Sequence, residues 1–192
     1  HNTEYASEFM ARVLEENPDD QRLLRRVFTL TLRAGKMEKA VILARRIENT
    51  VNRMSTAALL LGVEAMRQGN FAEAFKRFDS MSRSGVSAYS APLSKAWALF
   101  GLEKTDAAIK ALAPLDQKSG FAMMRDLHTG LINDVANRTQ AALAAYRSVT
   151  KTMAETPMRV VRAAGSLLER SGQTTEARAL YQKFLAKDPK NF

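Results

Sequence analysis

Cysteine is absent from the 192-residue sequence, and histidine occurs only twice. The lack of cysteine excludes disulfide bonds, thiolate nucleophiles, cysteine–zinc sites and iron–sulfur clusters. Apart from His1, His128 is the only histidine, so two internal histidines cannot share a metal ion. A Ser–His–Asp triad would need His128 as its base, and Asp126, two residues away on a predicted helix, points elsewhere. We therefore predict no catalytic residue and no metal site.

Long apolar runs are also missing. No stretch approaches the roughly 18–20 apolar residues that a membrane-spanning helix requires, and the sequence contains no signal-peptide pattern. The glycine-rich loop that binds nucleotide phosphates is absent as well. These absences argue against an enzyme and against a cofactor. They leave the localisation unknown, because a protein without cysteine suits the cytoplasm and the periplasm equally.

Positive charge dominates the composition, with 29 Lys and Arg against 20 Asp and Glu and a net charge of +9. Much of it is local: residues 21–53 hold nine basic residues and two acidic ones, a local net charge of +7. A basic surface of this kind attracts acidic partners and accelerates their association. The alternative is that these side chains form an ordinary solvated surface.

A repeat of 34 residues runs through the chain. Alanines recur at steps of 34, 34, 34, 34 and 35 residues, at Ala6, Ala40, Ala74, Ala108, Ala142 and Ala177. Close packing of two helices needs small residues where the backbones approach each other, and this explains a regular column of alanine. The period is that of a helix–turn–helix unit.

Three further columns follow the same period. A turn column consists of Gly35, Gly69, Glu103, Asn137 and Gly172. The turn needs a residue that tolerates positive φ, which explains the glycines and makes Asn137 an acceptable substitute, whereas Glu103 departs from the pattern. A column of mostly small residues consists of Phe28, Gly62, Ala96, Gly130 and Gly165. A column of mostly large residues consists of Met10, Ala44, Phe78, Leu112, Tyr146 and Tyr181. We expect the large aromatic residues to fill the gap between one hairpin and the next.

Together these columns resemble the tetratricopeptide repeat family. The segments LLLGVEAMRQGNFAEAFKRF (Leu59–Phe78) and AGSLLERSGQTTEARALYQKFL (Ala164–Leu185) carry the resemblance most clearly. It covers essentially the whole chain and implies an all-α fold, a right-handed superhelical solenoid of helix–turn–helix repeats. It also implies a protein that binds other proteins.

The repeat predicts a single array over residues 1–192. Its parts are a lone second helix at 3–16 and hairpins near 21–50, 55–83, 89–116, 121–151 and 158–187. Because the first helix resembles the second half of a repeat, we expect a fragment of a larger protein of this family. Asp19 or Asp20, Ser55 and Thr139 are the predicted helix N-caps.

The first helix of each hairpin lines the concave side of such a stack, so residues at helical spacing on these helices form the candidate groove. It is apolar in the middle and rich in arginine at both ends. The predicted residues are Arg22, Arg25, Arg26, Arg33, Leu59, Val63, Met66, Arg67, Leu93, Trp97, Phe100, Leu127, His128, Leu131, Arg162 and Arg170. Thr29, Met124, Arg159 and Ser166 lie on the same faces. The leucines Leu59, Leu93 and Leu127 could instead complete the core.

The predicted function is a scaffold or adaptor that binds a peptide or helix of a partner protein, with apolar anchors and acidic flanks. One alternative is a basic helical-repeat module that binds nucleic acid. The apolar faces of the middle hairpins and the scarcity of exposed stacking aromatics argue against it. Another alternative is self-association into a homo-oligomer.

Overall fold

The computed structural model describes residues 2–50, 54–116, 120–151 and 156–187. Every regular element in these ranges is helical, and no residue in them lies in a β-strand. The all-α, helical-repeat prediction is therefore confirmed. The chain divides into two compact units, His1–Ala91 and Pro92–Phe192, and the boundary falls within one helix, at Pro92.

The first unit is a run of helices, and the first five pack in order, each against the next along the chain. Its core gathers apolar residues from four helices, including Leu14, Leu24, Val27, Ile47 and Leu61. The helices are α1 (Asn2–Glu16), α2 (Gln21–Arg33), α3 (Met37–Glu48), α4 (Ser55–Arg67), α5 (Phe71–Asp79) and the start of α6 (Ser87–Gly101).

The second unit follows the same plan. Its core lies among the last four helices and includes Leu127, Leu143, Tyr146, Val160 and Leu168. It contains the rest of α6, then α7 (Thr105–Lys110), a 3-10 turn (Ala113–Leu115), α8 (Ala122–Val135), α9 (Thr139–Thr150), α10 (Met158–Arg170) and α11 (Thr174–Leu185). The second helix of its first hairpin is short, and the 3-10 turn that follows it contains Pro114.

Glycine and aromatic residues sixteen positions apart pack closely together in three of the hairpins. A Cβ atom built on Gly62 would overlap the ring of Phe78, and one on Gly130 would overlap the ring of Tyr146. Gly165 has the same relation to Tyr181. Each aromatic ring therefore lies directly on a glycine of its own hairpin. Tyr146 also shares a core cluster with Val160 of the next hairpin, which agrees with the expectation that these rings fill the gap between successive hairpins.

The first hairpin has the same two positions with their sizes exchanged. Phe28 stands where the other hairpins have glycine or alanine, and Ala44, sixteen residues later, stands where they have a large side chain. Both are completely buried and belong to one core cluster. Ala96 and Leu112, also completely buried, give an intermediate pair in the third hairpin. In each pair a larger side chain at one position accompanies a smaller one at the other.

The turn between the two helices of each hairpin contains a residue with positive φ, as predicted for the glycines and Asn137. Three of these residues are glycine: Gly35, Gly69 and Gly172. The other two are Glu103, with φ of 62°, and Asn137, with φ of 58°. Asparagine tolerates this region better than other residues with a side chain, whereas glutamate has no such advantage.

The predicted N-caps are only partly correct. Asp20 caps α2, because its Oδ1 accepts hydrogen bonds from the backbone N–H groups of Arg22 at 2.8 Å and Leu23 at 3.0 Å. Ser55 does not cap α4, and its hydroxyl oxygen instead accepts the backbone N–H of Ser82. Thr139 is likewise the first residue of its helix and not the cap. Both predictions miss the helix start by one residue.

Replacing Glu103 by glycine should stabilise the protein by about 1 kcal/mol, because glycine carries no steric penalty at positive φ. Chemical denaturation monitored by circular dichroism measures this change. The matched variant Asn137→Gly should gain less, since asparagine already tolerates the conformation. Equal gains at the two positions, or a loss at Glu103, would contradict this interpretation of the turn.

Candidate functional site

Most of the predicted arginines of the first unit lie in solvent. Arg22, Arg26 and Arg33 on α2 are exposed, and Arg25 on the same helix is half-buried. The exposed three form no ion pair with any residue that the structure describes. Their charges are therefore available to a partner.

The predicted residues of α4 have mixed environments. Val63 is 53% exposed, whereas Leu59 and Met66 are half-buried. Arg67 donates from Nε and Nη2 to the two carboxylate oxygens of Glu64, at 3.0 and 2.9 Å. This fork-shaped pair occupies the guanidinium. Sequence reasoning missed Glu64 as its partner, although the spacing of three residues within a helix was a usable signal.

One predicted groove residue of the second unit belongs to the core. Leu127 is only 5% exposed and packs with Leu143, Tyr146 and Val160. The prediction that Leu127 lines the groove is therefore wrong, and the alternative that this leucine completes the core is correct. Leu93, Trp97, Phe100 and Leu131 are half-buried, so each keeps part of its surface in solvent.

Trp97 connects α6 to α8 through a hydrogen bond between two side chains. Its Nε1–H donates to Nδ1 of His128 at 2.9 Å. The indole also meets the His128 ring edge-to-face, with centroids 6.0 Å apart, and the Phe100 ring edge-to-face at 5.8 Å. Three predicted groove residues are thereby brought together in one aromatic cluster, which consists of Trp97, Phe100 and His128.

The hydrogen bond fixes the protonation state of His128. A ring nitrogen that accepts a hydrogen bond carries no proton, so His128 is neutral and has its proton on Nε2. Burial lowers the pKa of His128 below its ordinary value of 6.5, and the positive charge of Arg159 lowers it further. Arg159 on α10 is thus close enough to the aromatic cluster to act on it electrostatically.

The predicted arginines of α10 differ from one another. Arg170 donates from Nη2 to both oxygens of Asp134, at 2.9 and 3.0 Å, and Tyr146 donates its hydroxyl to the same carboxylate. Arg162 is exposed, as is Arg159, and neither is ion-paired within the described ranges. Sequence reasoning missed Asp134, because an ion pair 36 residues apart is not visible without the fold.

The described residues contain neither a candidate metal site nor a candidate membrane-spanning helix. Among them, no three acidic, histidine or cysteine side chains come together in a way that could hold a metal ion. None of the described helices combines the length and the apolar character that crossing a membrane requires.

Lowering the pH should break the Trp97–His128 hydrogen bond, because a protonated Nδ1 cannot accept it. The pKa of His128 is lower in the folded protein, so its contribution to stability is present above pH 6.5 and is lost as the pH falls through the folded value. Since Trp97 is the only tryptophan, its fluorescence should change with a midpoint below pH 6.5. His128→Gln, which keeps an acceptor but does not titrate, should abolish this transition. A transition that survives in His128→Gln would assign it to another group.

Comparison with known proteins supports the same architecture. The family model described as tetratricopeptide repeat matches residues 59–119 and 130–192. A tetratricopeptide repeat protein from Parabacteroides merdae superposes with a TM-score of 0.74 at 14% identity, over 96% of this chain and 73% of that one. MamA from Desulfovibrio magneticus RS-1 gives a TM-score of 0.68 at 15% identity, over 90% of this chain and 97% of that one.

A third similar structure is YrrB, described as a tetratricopeptide repeat protein with an unusual peptide-binding site. It has a TM-score of 0.63 at 17% identity, over 96% of this chain and 95% of that one. At these identities the likenesses show the fold alone. A comparison with curated proteins gives no match. The family model covers more than half of the sequence, and the protein therefore belongs to the tetratricopeptide repeat family, whose members are in general non-enzymatic protein-interaction scaffolds.

Proposed function

We propose that the second unit binds a segment of a partner protein on the face formed by the first helices of its hairpins. An apolar side chain of the partner packs against Trp97, Phe100 and Leu131, and acidic residues of the same segment pair with Arg159 and Arg162. The observation that carries this proposal is the Trp97–His128 hydrogen bond, which holds a partly exposed indole in one orientation.

An indole held in advance is a favourable anchor. Tryptophan is over-represented among the residues that dominate binding energy at interfaces. Ordering a free side chain on binding costs about 0.5–1.5 kcal/mol, and a side chain already fixed in the free protein avoids much of this cost. Trp97 is held by a hydrogen bond to His128 and by an edge-to-face contact with Phe100. Its half-exposed surface is therefore ready for an apolar partner group.

The charges around the cluster favour a partner with carboxylates. Arg159 lies near enough to influence His128, and Arg162 follows it by three residues, which places both on one side of α10. A planar guanidinium can bind a carboxylate through two parallel hydrogen bonds. Arg170, which the sequence placed in the same group, is already bound to Asp134 and contributes less.

The similarity to YrrB supports this proposal at the level of the fold. That protein is described as having a peptide-binding site, so a helical repeat of comparable length and geometry accommodates a peptide. Which residues of this chain would bind a peptide is inferred from its own geometry and not from that similarity.

Trp97→Ala should weaken binding of an apolar–acidic peptide by tenfold or more, since loss of an interface hot spot costs about 2 kcal/mol. Peptides selected from a random library on the unaltered chain provide the ligands, and fluorescence anisotropy measures their affinities. Leu131→Ala should also weaken binding of these peptides.

The control is Ile42→Ala, which truncates an exposed apolar residue of α3 in the first unit and should change the affinity less than twofold. Circular dichroism confirms that the variants remain helical, and sedimentation velocity separates peptide binding from self-association. Selected peptides that lack apolar anchors, or that bind Trp97→Ala unchanged, would place the site elsewhere.

A further inference from the structure

The helix α2 carries an unusual distribution of charge. Its thirteen residues include four arginines and no acidic residue. Three of them, Arg22, Arg26 and Arg33, are exposed, and we name these three the α2 arginine row. The row belongs to the first unit and is separate from the aromatic cluster of the second.

Two features of the α2 arginine row oppose helix stability. Arg22 lies in the first turn, where the helix dipole places partial positive charge, so a cation there is unfavourable. Arg22 and Arg26 are four residues apart, the spacing at which like charges repel each other on a helix surface. Replacement of either by a neutral or acidic residue would relieve these costs. At Arg22 and Arg26 the free protein thus gains nothing in helix stability, whereas Arg33 lies in the last turn, where a cation is favourable.

The surroundings do not neutralise the row. The carboxylate of Asp20, which is nearest along the chain, accepts backbone N–H groups as the N-cap. Neighbouring basic residues do have partners: Lys36 binds Glu8 at 2.7 Å, and Arg46 donates to the carbonyl oxygen of Pro18 at 2.8 Å. Within the described part of the chain, the arginines of the row form no ion pair.

We propose that the α2 arginine row binds an acidic helical segment of a partner protein. At a rise of about 1.5 Å per residue, its members lie about 6 and about 10 Å apart along one side of the helix. Carboxylates spaced by four and seven residues on a second helix lie at the same distances and can pair with all three guanidinium groups.

Protein is favoured over nucleic acid as the partner because α2 provides no surface for base stacking. Single-stranded nucleic acids bind through aromatic side chains placed among basic ones. The only aromatic residue of α2, Phe28, is completely buried, and the exposed residue between Arg26 and Arg33 on this side is Thr29. The row thus offers charge and hydrogen-bond donors without a stacking platform.

The test uses the whole chain and three fluorescent probes. The first is a helical peptide with glutamates spaced to match the row, the second carries glutamine at those positions, and the third is oligo-dT of equal net charge. Arg22→Glu combined with Arg26→Glu should weaken the glutamate peptide by tenfold or more at low salt. The same variant should raise the melting temperature, by about 2 °C, because both helix costs are relieved.

The charge-matched control combines Lys104→Glu with Arg178→Glu, two exposed sites at the N-cap of α7 and on α11, and should change the affinity less than twofold. Equal weakening in this control would reduce the effect to net charge and overturn the proposal. Tighter binding of oligo-dT than of the glutamate peptide would overturn it in favour of a nucleic-acid surface. Trp97→Ala should leave binding of the glutamate peptide unchanged, so the result is independent of the function proposed for the second unit. A loss of glutamate-peptide binding in Trp97→Ala would overturn the assignment to α2.

Discussion

The size match between two positions sixteen residues apart is the constraint on which the hairpins depend. A glycine in the first helix leaves room for an aromatic ring from the second, as in Gly62 with Phe78 and Gly130 with Tyr146. The rings are nearly or completely buried, so the space beneath them is filled and not solvated. Interiors tolerate neither voids nor overlap, and a change at one position therefore requires a compensating change at the other.

This constraint leaves another side of each first helix free for function. The side chains that close a hairpin face inward, whereas Trp97 and Val63 lie one residue after the small position of their hairpins and keep part of their surface in solvent. The scaffold can thus carry an aromatic cluster in one unit and a row of arginines in the other without altering its packing. In both places we propose that the exposed groups bind a partner.

The sequence predicted the features that recur with the 34-residue repeat, and it failed for features that depend on one particular side-chain contact. The columns of alanine, glycine and aromatic residues identified the repeat, and the turn column anticipated positive φ at the glycines and Asn137 but not at Glu103. The same columns did not show that Phe28 and Ala44 exchange roles, because a column compares equivalent positions and not facing ones. Leu127 was misplaced because one helical side contains both core and surface positions. The Arg170–Asp134 pair and the Trp97–His128 bond join residues from different repeats, and only the fold brings these together.

The exchange of Phe28 and Ala44 gives the most direct test of the size match. The measurement is the unfolding free energy of Phe28→Gly, Ala44→Phe and the double variant, which gives the first hairpin the pair found in the second. Each single variant should lose about 2–5 kcal/mol, one through a cavity and the other through overpacking. The double variant should recover most of this loss, with a favourable coupling energy above about 1 kcal/mol. Losses that simply add in the double variant would contradict the account, since the two positions would then not share one space.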